Sequence, residues 1–532
     1  PNYETKFENC FKLPNPNLRS YFALVENGQP DEYRTNFYGK DTPVSDLVTR
    51  WTKELQSIKT QWPTLYDFEI DLGKKVGPMS IMKPLKDRMD DIENYYDLIS
   101  LSQTPIKSEA FDAFKNEWRQ IAGLRVRSED NTVAIMKKST SSGSPYFKKR
   151  RLVLRQTSPC FVMRINGRFV QNLAMKYTFE SCAILGWRGQ EGGPARTDVK
   201  QRVIWMFPFA VNIKELQVYQ PLVEAAQSKE LVPAWVSMET VDAYVTELFD
   251  TKAPEDLVIC TDFSKFDQHF NETCQLAARD ALEWLLTDTG ESNTWLKEIF
   301  PIKYEIPLAY AYGKIRSGKH GMASGSGGTN ADETILHRII QHEAAISQGS
   351  TLNPHSQCLG DDGILSYPGC TVDDVLKVYT SHGLEMNPDK QYASNVDCTY
   401  LRRWHHTDYR ENGICVGVYS TLRALGRLCE QERYYDPEIW NSKMVALRQL
   451  SIIENVRYHP LNEKFVQWCM KGDKYRLGLD IPGFLDNVEA LANEAIELMP
   501  DFMGYTKSIS ADGKASVGIN DWWVIKYLKS LR

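Results

Sequence analysis

No apolar run in the 532-residue sequence is long enough to cross a bilayer. The first residues, Pro1-Asn2-Tyr3-Glu4-Thr5-Lys6, lack the basic and hydrophobic regions of a secretory signal. Eleven cysteines are scattered without a single Cys-x-x-Cys pair. That spacing excludes a zinc ribbon and a disulfide framework, and the expectation is reduced thiols in a cytosolic setting. His342-Glu343 begins like a zinc-protease helix, but Ile346 stands where the second histidine is needed. The Gly/Ser-rich stretches lack Gly-Lys-Ser/Thr, so none is a Walker loop. Internal repeats and long low-complexity tracts are absent as well.

What remains is the composition of an ordinary globular protein, 42% apolar and 25% charged. At this length roughly three domains or subdomains are expected. The net charge of −6 argues against a protein that coats nucleic acid non-specifically. The charge is unevenly spread. Lys137 to Arg202 holds 14 Lys+Arg against 3 Asp+Glu, a local +11, which leaves −17 for the rest. A basic segment on an acidic body fits phosphate contacts confined to one channel.

Residues 1–40 read as an irregular arm. Leu47, Val48, Trp51, Leu55, Ile58 and Trp62 recur at helical spacing, with Ser45 as the expected N-cap and Pro63 as the stop. Leu85 to Ile99 repeats the pattern after Pro84, and a third helix is expected over 108–123. The small-residue loop Ser142-Gly143-Ser144-Pro145 precedes Lys148-Lys149-Arg150-Arg151; its backbone and cations suit a nucleic-acid strand. Gly189 to Arg196 reads as a mobile loop. Beyond it, alternation sets Lys200, Arg202 and Ile204 on one strand face, where two cations could grip a triphosphate.

Three carboxylates attract attention. Leu257-Val258-Ile259-Cys260-Thr261-Asp262 is a buried-strand run that ends in an acid. Asp361 and Asp362 stand between Gly360 and Gly363, flanked by short apolar runs, as at the tip of a tight β-hairpin. Adjacent carboxylates repel, and a divalent cation removes that penalty; oxygen ligands favour magnesium, or manganese. A strand beside a hairpin could bring Asp262 and Asp361 together around two ions roughly 4 Å apart. Asp267, five positions after Asp262, cannot share its strand face without a bend. Between these acids lies Gly321-Met322-Ala323-Ser324-Gly325-Ser326-Gly327-Gly328-Thr329, a loop entering the helical pattern of Ile335, Leu336, Ile339 and Ile340. Helices are expected from about Ser420, residues 503–520 read as loop-like, and an apolar segment from Trp522 to Leu528 should dock on the body.

In this order the segments resemble the motifs of viral RNA-dependent RNA polymerases. Ser142 to Pro145 resembles motif G, and Lys200-Gln201-Arg202 motif F. Asp262 with Asp267 resembles motif A, Ser324-Gly325 with Thr329 motif B, and Gly360-Asp361-Asp362 motif C. Lys390 resembles motif D, and Tyr400-Leu401-Arg402-Arg403 motif E. The resemblance spans about residues 140–405 by motif. It implies an α+β, helix-rich right hand with an antiparallel palm sheet. Fingers with an N-terminal arm and fingertips would take 1–205, palm 206–271, a fingers insertion 272–315, palm again 316–408, and thumb with tail 409–532.

The resemblance further implies a nucleotidyltransferase that makes RNA on an RNA template from ribonucleoside triphosphates. Asp262, Asp361 and Asp362 would hold Mg2+ or Mn2+. Lys200 and Arg202 would hold the triphosphate, and Asp267 the ribose 2′-hydroxyl with Ser324 and Thr329. Lys390 would protonate pyrophosphate. Ser142, Gly143, Ser144, Pro145, Lys148, Lys149 and Gly325 would meet RNA. A monomer working in a virion interior and the host cytoplasm, beside capsid protein and without a membrane, is implied too. One departure stands out: Glu333 occupies the place where many relatives carry Asn four residues after the motif B threonine, while Asn330 follows Thr329 directly. A reverse transcriptase, the nearest rival, would carry an aromatic residue in place of Asp267.

Overall fold

Val258–Thr261 is buried at all four positions, the pattern of a strand covered on both faces. The computed structural model describes residues 5–12, 16–101, 103–499 and 518–532. The elements that carry the chemistry run in chain order: β1 (Ala183–Gln190), β2 (Lys200–Met206), α1 (Phe209–Ser228), β3 (Val258–Thr261), α2 (Thr329–Ser347), β4 (Gln357–Leu359), β5 (Asp362–Leu365), β6 (Tyr392–Ser394), β7 (Asp397–Tyr400), β8 (Arg403–His406) and α3 (Thr421–Cys429). The central sheet has the antiparallel order β4–β5–β3–β6. Behind it lies α2, buried without a break from Ala331 to Gln341. A second sheet joins β2 and β1 to Leu308–Ala311 and Lys314–Arg316.

Two large apolar cores organise the chain. One runs from Val25 to Met386 and includes the inner faces of both sheets and α2. The other joins Phe37, Leu47, Trp51, Leu55, Ile58 and Leu65 to residues between Trp404 and Leu528. Residues 37–65, assigned from the sequence with the rest of 1–205, are thus packed into the core of the C-terminal segment. A buried carboxylate secures this union. Glu69 accepts hydrogen bonds from the Thr421 and Leu422 N–H groups at the start of α3, from the Ser420 and Thr421 hydroxyls, and from His459 Nε2 at 3.0 Å. An acid at a helix N-terminus meets both orphan amides and the positive end of the helix dipole.

Several local expectations change. The helix Val44–Leu55 begins after Pro43, not Ser45, because the fixed φ of proline (−59°) already suits helix entry. Pro63 opens the next helix, Pro63–Gly73, rather than closing the previous one. The third helix ends at Trp118 and tightens into a 3-10 turn over Arg119–Ile121. The stretch from Gly189 is pinned, not free. A Cβ on Gly189 would lie 2.0 Å from Met79 O, and Glu191 pairs with Arg423 Nη1 at 2.7 Å. The C-terminal apolar segment docks as expected. Val524, Ile525 and Leu528 are fully buried, and Glu454 accepts from the Trp523 and Val524 N–H groups. Residues 503–517 of the loop-like stretch lie outside the described residues. All eleven cysteines are free and buried, and no described helix is long and apolar enough to cross a membrane.

Candidate active site

Sheet register brings the acids together. Thr261 pairs with Gly363, and Leu359 with Asp362. Continuing the β3–β5 register by one residue sets Asp262 opposite Asp362, about 5 Å away between Cα atoms. Only Gly360 and Asp361 are left for the hairpin turn, and Gly360 takes φ +57°, a conformation that favours glycine. The Asp262 carboxylate receives no hydrogen bond or ion pair from any described residue, and Gln391 Oε1 holds its backbone N–H at 2.8 Å.

The hairpin is held from behind by α2. His337 Nδ1 lies 2.9 Å from Gly360 O, and the Gly360 N–H donates to Thr334 Oγ1 at 2.9 Å. Gln341 Nε2 donates to Gln357 O at 2.9 Å. Burial pulls the His337 imidazole down to about 4, so it is neutral at pH 7. Because a carbonyl only accepts, Nδ1 carries the proton. The ring also explains Gly363, where a Cβ would come 2.6 Å from His337 Cε1. His337 was invisible as a functional residue in the sequence; its place on the buried helix, two turns after Thr329, was the only available sign.

Asp361 and Asp362 diverge. Asp361 is exposed. Its carboxyl is pushed above the usual range by crowding protein first, then by the charges of Asp267 and Asp262, against Arg202. Asp362 is more enclosed and is pushed up to about 7, by burial first and then by Asp361. Its Oδ2 accepts the Leu401 N–H at 2.9 Å. Leu401 and Arg402 form the β7–β8 turn at φ 52° and 59°, an uncommon conformation for non-glycine residues that this bond stabilises. Asp362 therefore anchors the β7–β8 hairpin while Asp361 faces the cleft.

Cations gather beside the acids, Arg202 acting on Asp361 and Arg402 on Asp362 by their charge. Gln201 points inward, accepting from Lys83 N–H and Trp187 Nε1 and donating to Ile81 O. Strand alternation therefore turns Lys200 and Arg202 outward, and both are exposed. The Lys200 ammonium is pulled below its usual value by burial of its surroundings, then by Lys75, Arg402, Arg202 and Lys390. Arg402 is lowered to about 10 by burial and then by Arg423. Glu191 is the anion beside Arg402 and Arg423, and the excess of cations around it suits a polyanionic ligand. Lys75 and Arg402 were not among the triphosphate candidates read from the sequence.

The Gly/Ser loop lies against β2. A Cβ on Gly325 would sit 1.6 Å from Trp205 O, so glycine here permits the loop to touch β2. Ser324 Oγ bridges Val203 O and the Trp205 N–H at 3.4 Å each. Thr329 Oγ1 donates to Ala323 O at 3.0 Å, and Asn330 Oδ1 accepts from Trp235 Nε1 at 2.7 Å. Glu215 of α1 holds the loop beneath, accepting from Gly327 N–H at 3.0 Å and from the Ser326 hydroxyl.

Ser142, Gly143, Ser144 and Pro145 are inside the protein rather than on a nucleic-acid surface. Ser142 O accepts the Phe209 N–H at 2.9 Å, the Ser144 hydroxyl donates to Cys10 O, and a Cβ on Gly143 would lie 2.6 Å from Phe207 O. Lys148 and Lys149 alone of that group are exposed, as is Lys390.

As for metals, the donors are of the right kind: the carboxylate oxygens of Asp262, Asp361 and Asp362, gathered at the ends of adjacent strands, suit hard divalent ions. Among the described residues no three His, Cys, Asp or Glu side chains are already grouped as a metal site, so the fit lies in donor chemistry.

Acids ending adjacent antiparallel strands, with cations gathered beside them, define a class, and the comparisons agree with it. The family model described as viral RNA-dependent RNA polymerase matches residues 85–414, and the chain belongs to that family. It is an RNA-dependent RNA polymerase, and its α+β right-hand architecture is the one expected. The chain is 61% identical over its full length, and 99% of the relative's, to a protein named potential RNA-dependent RNA polymerase of Human picobirnavirus (strain Human/Thailand/Hy005102/-). Among solved structures it is similar to the RNA-dependent RNA polymerase of a human picobirnavirus, at TM-score 0.93 and 61% identity over 98% of each chain. An insertion-loop deletion mutant of such a polymerase matches at TM-score 0.92 and 59% identity, again over 98% of each chain.

Proposed function

We propose that this polymerase extends RNA by two-metal phosphoryl transfer and so replicates and transcribes a viral RNA genome. The observation that carries the reading is the meeting of Asp262 and Asp361 beside Arg202 and its neighbour Lys200. Asp262 and Asp361, with Asp362, would hold Mg2+ or Mn2+. When bound, such ions lower the pKa of the primer 3′-hydroxyl and neutralise the triphosphate. Lys200 and Arg202, joined by Lys75 and Arg402, bind and orient the triphosphate. Asp267 accepts the ribose 2′-hydroxyl at the edge formed by Ser324, Thr329 and Asn330. Lys390 supplies the proton to departing pyrophosphate. Exposed Lys148 and Lys149 bind template phosphates. The setting we assign, a virion interior or host cytoplasm with a capsid partner, rests on kinship.

A single assay tests this reading. Purified protein, an RNA template and ribonucleotides should give product with Mg2+ or Mn2+ and none after chelation. Deoxynucleotides offered alongside should be used far less. Synthesis unaffected by chelation, or a preference for deoxynucleotides, would overturn it.

A further inference from the structure

Strand β3 loses its neighbour where the acids begin. On the β6 side Cys260 pairs with Tyr392, and the next pairing is Ser264 with Glu385. From Cys260 to Ser264 is four residues; from Glu385 to Tyr392 is seven. The partner chain therefore carries three extra residues and bulges away through the turn Pro388–Lys390. Alternation aims the N–H and C=O of Asp262 the same way as those of Cys260, into that gap. The side chain of Gln391 fills it. Its Oε1 accepts the Asp262 N–H at 2.8 Å, and its Nε2 donates to Asp262 O at 2.8 Å. The same Nε2 donates to Asn387 O at 2.9 Å, at the head of the turn that carries Lys390. With one N–H facing the amide oxygen and two carbonyls facing its nitrogen, only this orientation of the amide satisfies all three bonds. One side chain thus supplies both bonds that a neighbouring strand would make. The Asp262 carboxylate has no hydrogen-bond or ion-pair partner among the described residues, so its aim is set by this backbone.

We propose that Gln391 is a positioning residue for the metal centre: its amide stands in for the missing strand partner of Asp262 and holds that carboxylate in place beside Asp361 for a divalent ion. The inference rests on the reading of Asp262 as a metal ligand. Gln391 acts through the backbone of Asp262 and not by touching the ion. It is half-buried at the surface, so replacing it leaves the apolar cores intact while the end of β3 relaxes. Because the amide also grips Asn387 O, the turn carrying Lys390 is fixed against the same strand end.

The test compares Gln391→Met, which keeps the volume and loses the bonds to Asp262, with Tyr392→Phe, which loosens β6 without touching Asp262. The Tyr392 hydroxyl donates to both carboxylate oxygens of Asp397 at 2.8 Å, and phenylalanine removes that tie. The first readout is binding of Mn2+ alone, without nucleotide or RNA, followed by the electron paramagnetic resonance signal of the free ion. Gln391→Met should weaken Mn2+ binding about fivefold. It should raise the Mg2+ concentration for half-maximal synthesis by a similar factor, with kcat returning to within about threefold of wild type at saturating Mg2+. Tyr392→Phe should bind Mn2+ like the wild type. Wild-type Mn2+ affinity in Gln391→Met overturns the proposal. So does an equal weakening in Tyr392→Phe, which marks strand stability and not the amide. Asp262→Ala separates the two kinds of failure. Wild-type Mn2+ affinity in that variant refutes the metal-site reading itself, whereas binding lost there and unchanged in Gln391→Met refutes the role of Gln391 alone.

Discussion

Replacing His337 with alanine probes how the Gly360-Asp361-Asp362 hairpin is held. The change removes the Nδ1–H donor 2.9 Å from Gly360 O and leaves that buried carbonyl unpaired. Losing a buried partner costs about 1–3 kcal/mol. The imidazole also packs against Phe263 and Tyr379, with ring centroids at 5.3 and 5.7 Å. Emptying that space adds about 1–2 kcal/mol, fixed by how far the surroundings collapse. A total near 3 kcal/mol is therefore expected in denaturant unfolding. The catalytic loss should exceed what stability alone implies, because Gly360 is the residue before Asp361. A shift of the acid by about 1 Å can cost about a hundredfold in rate. Single-turnover nucleotide addition, at a temperature where the variant is folded, should fall by at least tenfold. Binding of template RNA should be unchanged. A variant that unfolds at the wild-type denaturant concentration and adds nucleotides at the wild-type rate would refute the idea that α2 positions the hairpin through this side chain.

Other perturbations have defined outcomes. Glu69→Ala strips five donors of their acceptor and should destabilise the fold by about 3–5 kcal/mol in chemical denaturation. Burial opposes the Glu69 charge, but His459 and the hydroxyls overcome it and lower its folded pKa. Its contribution is thus present at neutral pH and is lost as pH falls through the folded value. The buried imidazoles of His320, His337 and His405, each lowered to about 4, act at higher pH. The unfolded chain takes up their protons first, so stability should fall as pH drops from about 6.5 toward 4; a melting temperature that is flat or rising from pH 7 to 5 would contradict this. Lys200→Ala should raise KM for nucleotides about tenfold with a smaller effect on kcat, as steady-state kinetics can show. Gly325→Ala forces a contact 1.6 Å from Trp205 O and should abolish synthesis or folding, seen by activity and circular dichroism together.

Much of this arrangement can be read from local pattern. Val258 to Asp262 announces a strand ending in an acid, the Gly-Asp-Asp hairpin carries its own turn residues, and alternation separates Lys200 and Arg202 from Gln201. Each of these signals operates over a few residues, within one element. What escapes is set by contacts distant in sequence. Ser142 to Pro145 has the composition of an exposed loop, yet Phe209 and Cys10 take up its polar groups. Glu69 looks like a surface acid on an amphipathic helix until Ser420, Thr421 and His459 close around it. Gly325 reads as loop flexibility, whereas its meaning is steric, fixed by a carbonyl 120 positions earlier. The helices 44–73 give no sign that their partner core is C-terminal, because apolar periodicity specifies a buried face and not what buries it.

The most direct measurement is nucleotide incorporation by Asp361→Ala, purified as soluble protein with a wild-type melting temperature. Its exposed carboxylate supports little of the fold, so the variant should fold normally, bind template RNA, and yield no RNA product with Mg2+ or Mn2+. Extension at the wild-type rate would contradict the assignment of the hairpin acid to the chemistry.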